Sequence, residues 1–327
     1  MTTTTPVLQI KDLRVSFPTE SGLVQAVRGV DIDVYSGELV GIVGESGSGK
    51  SVTFLATMGL LPKTAQITGS VKIAGEEILG SKPREMRAVR GQKIAMIFQD
   101  PLSALNPTHR VGQQVAEMIL AHNDMAHDEA MEKAIALLEL VGIPQPGRRS
   151  RRYPHEFSGG MRQRVMIAMA VANNPKVLIA DEPTTALDVT VQAQILEVIQ
   201  NVQRAVGAAV VFITHDLGVI ARVADRVQVM YAGRTVERGP VDDIILRPTH
   251  PYTQGLIHSI PSLGNQRLTP IPGAPPNMLR PPSGCAFRVR CPFAKAVCGE
   301  QLPELRSIGA IETACVRADE LLAGVNA

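Results

Sequence analysis

The segment Gly44-Glu45-Ser46-Gly47-Ser48-Gly49-Lys50-Ser51 fits G-x-x-x-x-G-K-S/T and follows the apolar run Leu39-Val40-Gly41-Ile42-Val43. That pattern binds anions. Glycines let backbone N–H groups turn inward on a phosphate, the Lys50 ammonium reaches β- and γ-phosphates, and the Ser51 hydroxyl, followed by Val52 at the start of a helix, can hold Mg²⁺. The predicted ligand is a magnesium nucleoside triphosphate. A second cluster, Lys176-Val177-Leu178-Ile179-Ala180-Asp181-Glu182, is an apolar run closed by two carboxylates. At the carboxyl end of a parallel strand beside a phosphate loop, Asp181 is expected to hold Mg²⁺ through water. Glu182 is expected to polarise the water that attacks the γ-phosphate.

Positioning these groups requires a buried sheet, and the chain supplies its strands. Leu13, Val15 and Phe17, then Val30, Ile32 and Val34, alternate as strands with one buried face, separated by the turn-rich Pro18–Gly22. An antiparallel β-layer is therefore expected before the phosphate loop. Ile94–Phe98 and Val210–Thr214 read as buried parallel strands ending in the polar residues Gln99 and His215. Met131, Ile135 and Leu138 keep helical spacing and Gly142 follows as a stop, so a helical insertion is expected between the phosphate loop and the paired acids. The basic run Arg148-Arg149-Ser150-Arg151-Arg152 reads as a solvated loop. Past residue 250, Thr269–Pro276 and Pro281-Pro282 interrupt regular structure and mark a C-terminal extension. The predicted division is a nucleotide-binding domain over 1–249 and an extension over 250–327.

Composition narrows the setting. With 327 residues, 45% hydrophobic content and a net charge of +2, the chain is an ordinary globular protein without a field for holding nucleic acid. Aromatic content of 3% without Trp speaks against a base-stacking surface. The longest apolar stretch in the helical regions, Val165–Ala172, is far short of the roughly 20 residues that cross a bilayer. The start, Met-Thr-Thr-Thr-Thr-Pro, has no basic region or apolar core of a secretory signal. A cytosolic chain is expected, reaching membranes only through a partner.

Phe157-Ser158-Gly159-Gly160-Met161-Arg162-Gln163-Arg164 resembles the signature sequence of the ATP-binding-cassette family, usually L-S-G-G-Q. The resemblance implies an α/β P-loop fold with a RecA-like parallel core, an antiparallel β subdomain and an α-helical subdomain. It also implies that ATP is the nucleotide and that Ser158, Gly159 and Gly160 meet the γ-phosphate held by a second, homologous subunit, with Asp188 nearby. It places Phe17 on the adenine, gives Gln99 to Mg²⁺ and the lytic water, and sets His215 beside the γ-phosphate. Phe157 and Met161 depart from the usual signature. A DNA-repair cassette would carry a long coiled coil in the roughly one hundred residues between Ser51 and Ser158, and no sustained heptads occur there. A translation-associated cassette typically carries two ATPase domains, whereas this chain has one phosphate loop.

Ile97–Pro107, His250–Leu256 and the cysteine-bearing tail look like the ATPase subunits of oligopeptide, dipeptide and nickel importers. That resemblance implies two such ATPases, often non-identical, at the cytoplasmic face beneath two membrane permease subunits that an extracytoplasmic binding protein serves. Peptide is the expected cargo, with nickel or glutathione as alternatives. All four cysteines, Cys285, Cys291, Cys298 and Cys315, lie in the tail. Four thiolates in a short cytosolic segment suit a metal centre better than disulfides, and their spacing alone does not separate zinc from iron–sulfur. The resemblance implies an iron–sulfur (4Fe–4S) cluster, with Zn²⁺ or ordinary reduced thiols as the other readings.

Overall fold

The computed structural model describes residues 5–185, 187–260 and 270–325. Met1–Thr4 and Thr269, named above, lie outside the described residues, as do the side chains of Leu102 and Ser103.

Strands β1 (Leu8–Thr19) and β2 (Gly22–Val34) are joined by two residues and so pair antiparallel. Leu13, Val15, Val30 and Ile32 are buried as the alternation requires. Ile10 is buried as well, out of step with Leu13, because Asp12 between them adopts a positive φ of 42° and shifts the register. Strand β3 (Leu39–Val43) is buried along its whole length and delivers the phosphate loop to α1 (Lys50–Thr57). Next come β4 (Gln66–Ile73), the short β5 (Glu76–Glu77), α2 (Pro83–Val89) and β6 (Ile94–Ile97). The single turn α3 (Pro101–Ala104) precedes α4 (Val111–Leu120) and α5 (His127–Leu140). In α5 the buried stripe is Ala130, Ala134 and Leu138, four residues apart, with Met131 and Ile135 half-buried at its edge.

The basic run forms α6 (Pro146–Arg149) and the turn after it, with Arg152 paired to Glu156 at 2.6 Å. Helix α7 (Gly159–Val171) leads to β7 (Val177–Asp181), α8 (Val189–Val206) and β8 (Ala209–Thr214). Every residue of β7 and β8 is buried, the pattern of central strands covered on both faces. Each fully buried Val, Leu or Ile there contributes about 1.5–3 kcal/mol. The chain continues through α9 (Leu217–Val223), β9 (Arg226–Tyr231), β10 (Arg234–Pro240), α10 (Val241–Leu246) and α11 (Pro251–His258). Past the prolines lie β11 (Arg306–Ile308), β12 (Ile311–Thr313) and α12 (Ala318–Val325).

Two compact units interleave along the sequence. One is built from the start of the chain to Leu8, Val34–Glu38 and Ile73–Phe212. Its strands run in the order β8-β7-β6, with β6 and β7 parallel and Ile97 opposite Ala180. Its helices α4 and α5 pack on each other and on α7, forming the expected helical layer. The other unit is built from Gln9–Asp33, Leu39–Lys72 and Ile213 onward. It holds the order β11-β12-β10-β9-β3, with β3 parallel to β9 and Val43 opposite Val229. Because β12 pairs antiparallel with β10, Glu237 opposite Thr313, the C-terminal extension is stitched into the sheet that carries the phosphate loop. Among the described residues, no helix is long and apolar enough to cross a membrane.

Candidate active site

The phosphate loop leaves β3 and turns tightly, with the Ser48 N–H donating to Glu45 O at 3.2 Å. Lys50 is buried, and its ammonium donates to the carbonyls of Gly44 at 2.6 Å and Glu45 at 3.0 Å, so a fixed positive charge sits inside the loop. Two glycines divide the remaining work. A Cβ at Gly49, whose φ is +97°, would stand 2.5 Å from the Ala26 carbonyl oxygen, so this glycine permits close backbone packing. Gly47, with φ +78°, would place a Cβ in open space. Open space beside Gly47, a buried ammonium and the Ser51 hydroxyl at the first turn of α1 together fit a magnesium-bound polyphosphate. Phe17 stands half-buried near the end of β1, and Val52 lies in α1. His215 is exposed just past β8. Its turn is fixed by Asp216, whose N–H donates to Thr214 Oγ1 at 3.0 Å and whose carboxylate accepts from Gly218 N at 2.8 Å. These residues all belong to the second unit.

The first unit carries the rest of the set. Asp181 is buried at the end of β7, and Glu182 follows it with a positive φ of 45°. A non-glycine residue held there is strained by about 1–3 kcal/mol, a cost that clusters at functional positions. Glu182 Oε2 accepts from Gln99 Nε2 at 3.0 Å and from Thr185 Oγ1 at 2.9 Å. The two expected catalytic groups are thus brought into direct contact, and Thr185, which sequence reasoning passed over, helps aim the carboxylate. Ser158 caps α7, its Oγ accepting from Met161 N at 3.4 Å. Asp188 caps α8 by accepting from Val191 N at 2.9 Å. A Cβ at Gly160 would lie 2.6 Å from Val191 Cγ1, so the signature glycine sets how closely α7 meets the start of α8. Ser158, Gly159 and Asp188 are exposed, and Gly160 is half-buried.

A strand, phosphate loop and helix, a second strand ending in paired acids, a glutamine on the second acid and a serine-capped Ser-Gly-Gly helix define a P-loop ATPase of the cassette class. Residues 27–185 match the family model for the ABC transporter, and residues 236–298 match that for the oligopeptide/dipeptide transporter C-terminal region. The chain is 53% identical over 306 residues to the oligopeptide transport ATP-binding protein OppD of Bacillus subtilis, covering 92% of this chain and 86% of that protein. It is 53% identical over 301 residues to the dipeptide transport ATP-binding protein DppD of the same organism, covering 91% and 90%. A dimeric, post-hydrolysis cassette, MJ0796 bound to ADP and Pi, aligns with a TM-score of 0.63 and 28% identity over 72% of this chain and 98% of that one. The chain belongs to the ABC transporter family, among the oligopeptide and dipeptide transport ATP-binding proteins.

The expectation of an iron–sulfur cluster, or of zinc, at Cys285, Cys291, Cys298 and Cys315 is corrected. Among the described residues no group of three or more His, Cys, Asp or Glu side chains is placed to hold a metal ion. The relatives carry the plain description of transport ATP-binding proteins. All four cysteines are free and line one cavity of about 20 Å³ with Phe287, Phe293 and Leu321. That volume admits about one water, not a four-iron cube. Burial pushes up the thiols of Cys285 and Cys291, and that of Cys315 to about 11.

Proposed function

We propose that this chain is the ATP-hydrolysing subunit of a peptide importer, working as a pair with a second, homologous ATPase on the cytoplasmic side of two membrane permease subunits. The match of residues 236–298 to the oligopeptide/dipeptide transporter C-terminal region carries the peptide assignment, because the cassette alone is shared by many cargoes. In this reading the cassette is 1–249 and the importer-specific extension 250–327.

Lys50 and the amides of the Gly44–Ser51 loop hold the β- and γ-phosphates and stabilise charge on the transferring group. Ser51 and Gln99, with Asp181 acting through water, would hold Mg²⁺, which would supply neutralisation of the phosphate charge. Glu182, aimed by Gln99 and Thr185, takes or orients the proton of the attacking water. His215 fixes the γ-phosphate and Phe17 stacks on adenine. Ser158, Gly159, Gly160 and Asp188 face the nucleotide of the partner ATPase, so binding closes the pair and hydrolysis reopens it.

Glu182→Gln tests this. The variant should bind MgATP, form a nucleotide-dependent dimer and lose roughly 10²–10⁴-fold in turnover. Near-normal hydrolysis would reject the assignment. Uptake of labelled di- and oligopeptides against Ni²⁺ and glutathione, in cells lacking and regaining this chain, decides the cargo.

A further inference from the structure

Glu45 occupies a position of the phosphate-loop pattern where any residue is allowed, yet it is tied on three sides. Its carboxylate accepts two parallel bonds from Arg290, Nη1 to Oε2 at 2.6 Å and Nη2 to Oε1 at 2.9 Å. Its backbone N–H donates to the Tyr252 hydroxyl at 2.8 Å. Its carbonyl receives the Lys50 ammonium at 3.0 Å. Both outer partners belong to the C-terminal extension, and both are themselves held. The Arg290 side chain is only 4% exposed. Its Nε donates to the Pro272 carbonyl at 2.8 Å and its Nη1 to the Tyr231 hydroxyl at 3.3 Å. Its guanidinium lies 5.9 Å from the Phe287 ring centroid. The Tyr252 ring packs against Tyr231 at 4.6 Å and Phe287 at 5.3 Å between centroids. A bidentate arginine–carboxylate pair in such a setting is geometrically specific as well as strong.

We infer that the C-terminal extension positions the phosphate loop, with Arg290 and Tyr252 acting through Glu45 on the backbone that Lys50 bonds, so that seating of the extension sets the affinity for nucleotide. The same residue that receives the extension's grip also supplies a carbonyl to the lysine ammonium. If Glu45 is released, the loop loses two anchors at the site where its amides must be pre-aligned for phosphate. Pre-alignment lost before binding is repaid at binding, so the effect falls on affinity more than on the chemical step. This inference rests on the proposed binding of MgATP at the phosphate loop.

The experiment measures MgATP binding and steady-state hydrolysis on the full chain for Arg290→Ala, Arg290→Lys, Tyr252→Phe, Glu45→Ala and the double variant Arg290→Ala/Glu45→Ala. Arg290→Ala should weaken binding and raise KM by about tenfold, within the range of coupling between linked sites, while kcat changes much less. Arg290→Lys keeps the charge without the fork and should fall between it and the parent. Tyr252→Phe should weaken binding about fivefold, a coupling at the lower end of that range. In the Glu45→Ala background, Arg290→Ala should have no further effect on binding. If Arg290→Ala fails to fold, the lysine and phenylalanine variants decide. Parental MgATP affinity in variants that merely melt earlier would overturn the inference, leaving a structural staple. Absence of MgATP binding by the parent chain would instead sink the functional reading, and this inference with it.

Discussion

Alanine at Gly47 and alanine at Gly49 should separate nucleotide binding from loop stability within three residues. At Gly47 the added Cβ meets nothing within 4 Å, so the cost is the left-handed backbone alone, about 1–2 kcal/mol. For 327 residues the unfolding entropy makes 1 kcal/mol worth about 1.5 °C, so the melting temperature should fall by about 2–3 °C. At Gly49 the same backbone cost is joined by a Cβ 2.5 Å from the Ala26 carbonyl oxygen, a backbone atom that no rotamer change can move aside. Overpacking of that kind adds about 1–3 kcal/mol, for a total of about 2–5 kcal/mol and a fall of about 3–8 °C. Binding should rank the other way relative to stability. The Gly47 methyl enters open space in the loop proposed to hold phosphate, so Gly47→Ala should melt nearly normally yet lose MgATP affinity by tenfold or more, about 1.4 kcal/mol. Thermal melting without nucleotide and calorimetric titration with MgATP give both quantities. Parental affinity in Gly47→Ala, or a larger melting loss there than in Gly49→Ala, would refute the division of labour between the two glycines.

Ser158→Arg should leave MgATP binding at this chain's own phosphate loop intact while abolishing the nucleotide-dependent dimer in the Glu182→Gln background, as read by size exclusion with the partner ATPase present. Asp188→Ala removes the cap on the Val191 N–H and should cost about 1 kcal/mol in a denaturant melt. His250, fully buried and accepting the Tyr252 N–H on Nδ1 at 3.1 Å, is driven by burial down to about 3, so the folded state binds fewer protons than the unfolded one between pH 3 and 6.5. Its contribution to stability is therefore complete above pH 6.5 and lost as pH falls toward 3, at up to about 1.4 kcal/mol per pH unit. His250→Asn, which keeps an acceptor at that helix cap, should flatten urea-denaturation stability between pH 7 and 5.

The strands at the nucleotide end were legible because each is an unbroken apolar run closed by residues with chemistry: Val43 into the phosphate loop, Ala180 into Asp181 and Glu182, Thr214 into His215. The helical layer was legible from Leu138 and the Gly142 stop, although alanines rather than Met131 and Ile135 fill its buried stripe. Register was not. Periodicity over Leu13, Val15 and Phe17 gives no sign that Asp12 turns left-handed and brings Ile10 onto the buried face. The cysteines misled for a related reason. Four thiols gathered in sequence suggest ligands, but spacing carries no information about the size of the space they surround. Thr185 was equally silent, since a threonine three residues past an acid is common and only the fold turns its hydroxyl onto Glu182.

Arg290 was the least legible of all, because its partner lies 245 residues away and neither residue is singled out by its own motif. The physical reason such a contact can arise is visible in the loop itself. Phosphate binding by Gly44–Ser51 draws on backbone amides, the Lys50 ammonium and the Ser51 hydroxyl, leaving the side chain at position 45 without a duty toward the ligand. A carboxylate there would otherwise oppose an incoming polyphosphate through like charge. Pairing it with a buried guanidinium removes most of that repulsion and fixes the loop in one stroke. The extension is thereby tied to the nucleotide site through Glu45, a loop residue whose side chain is free for that contact.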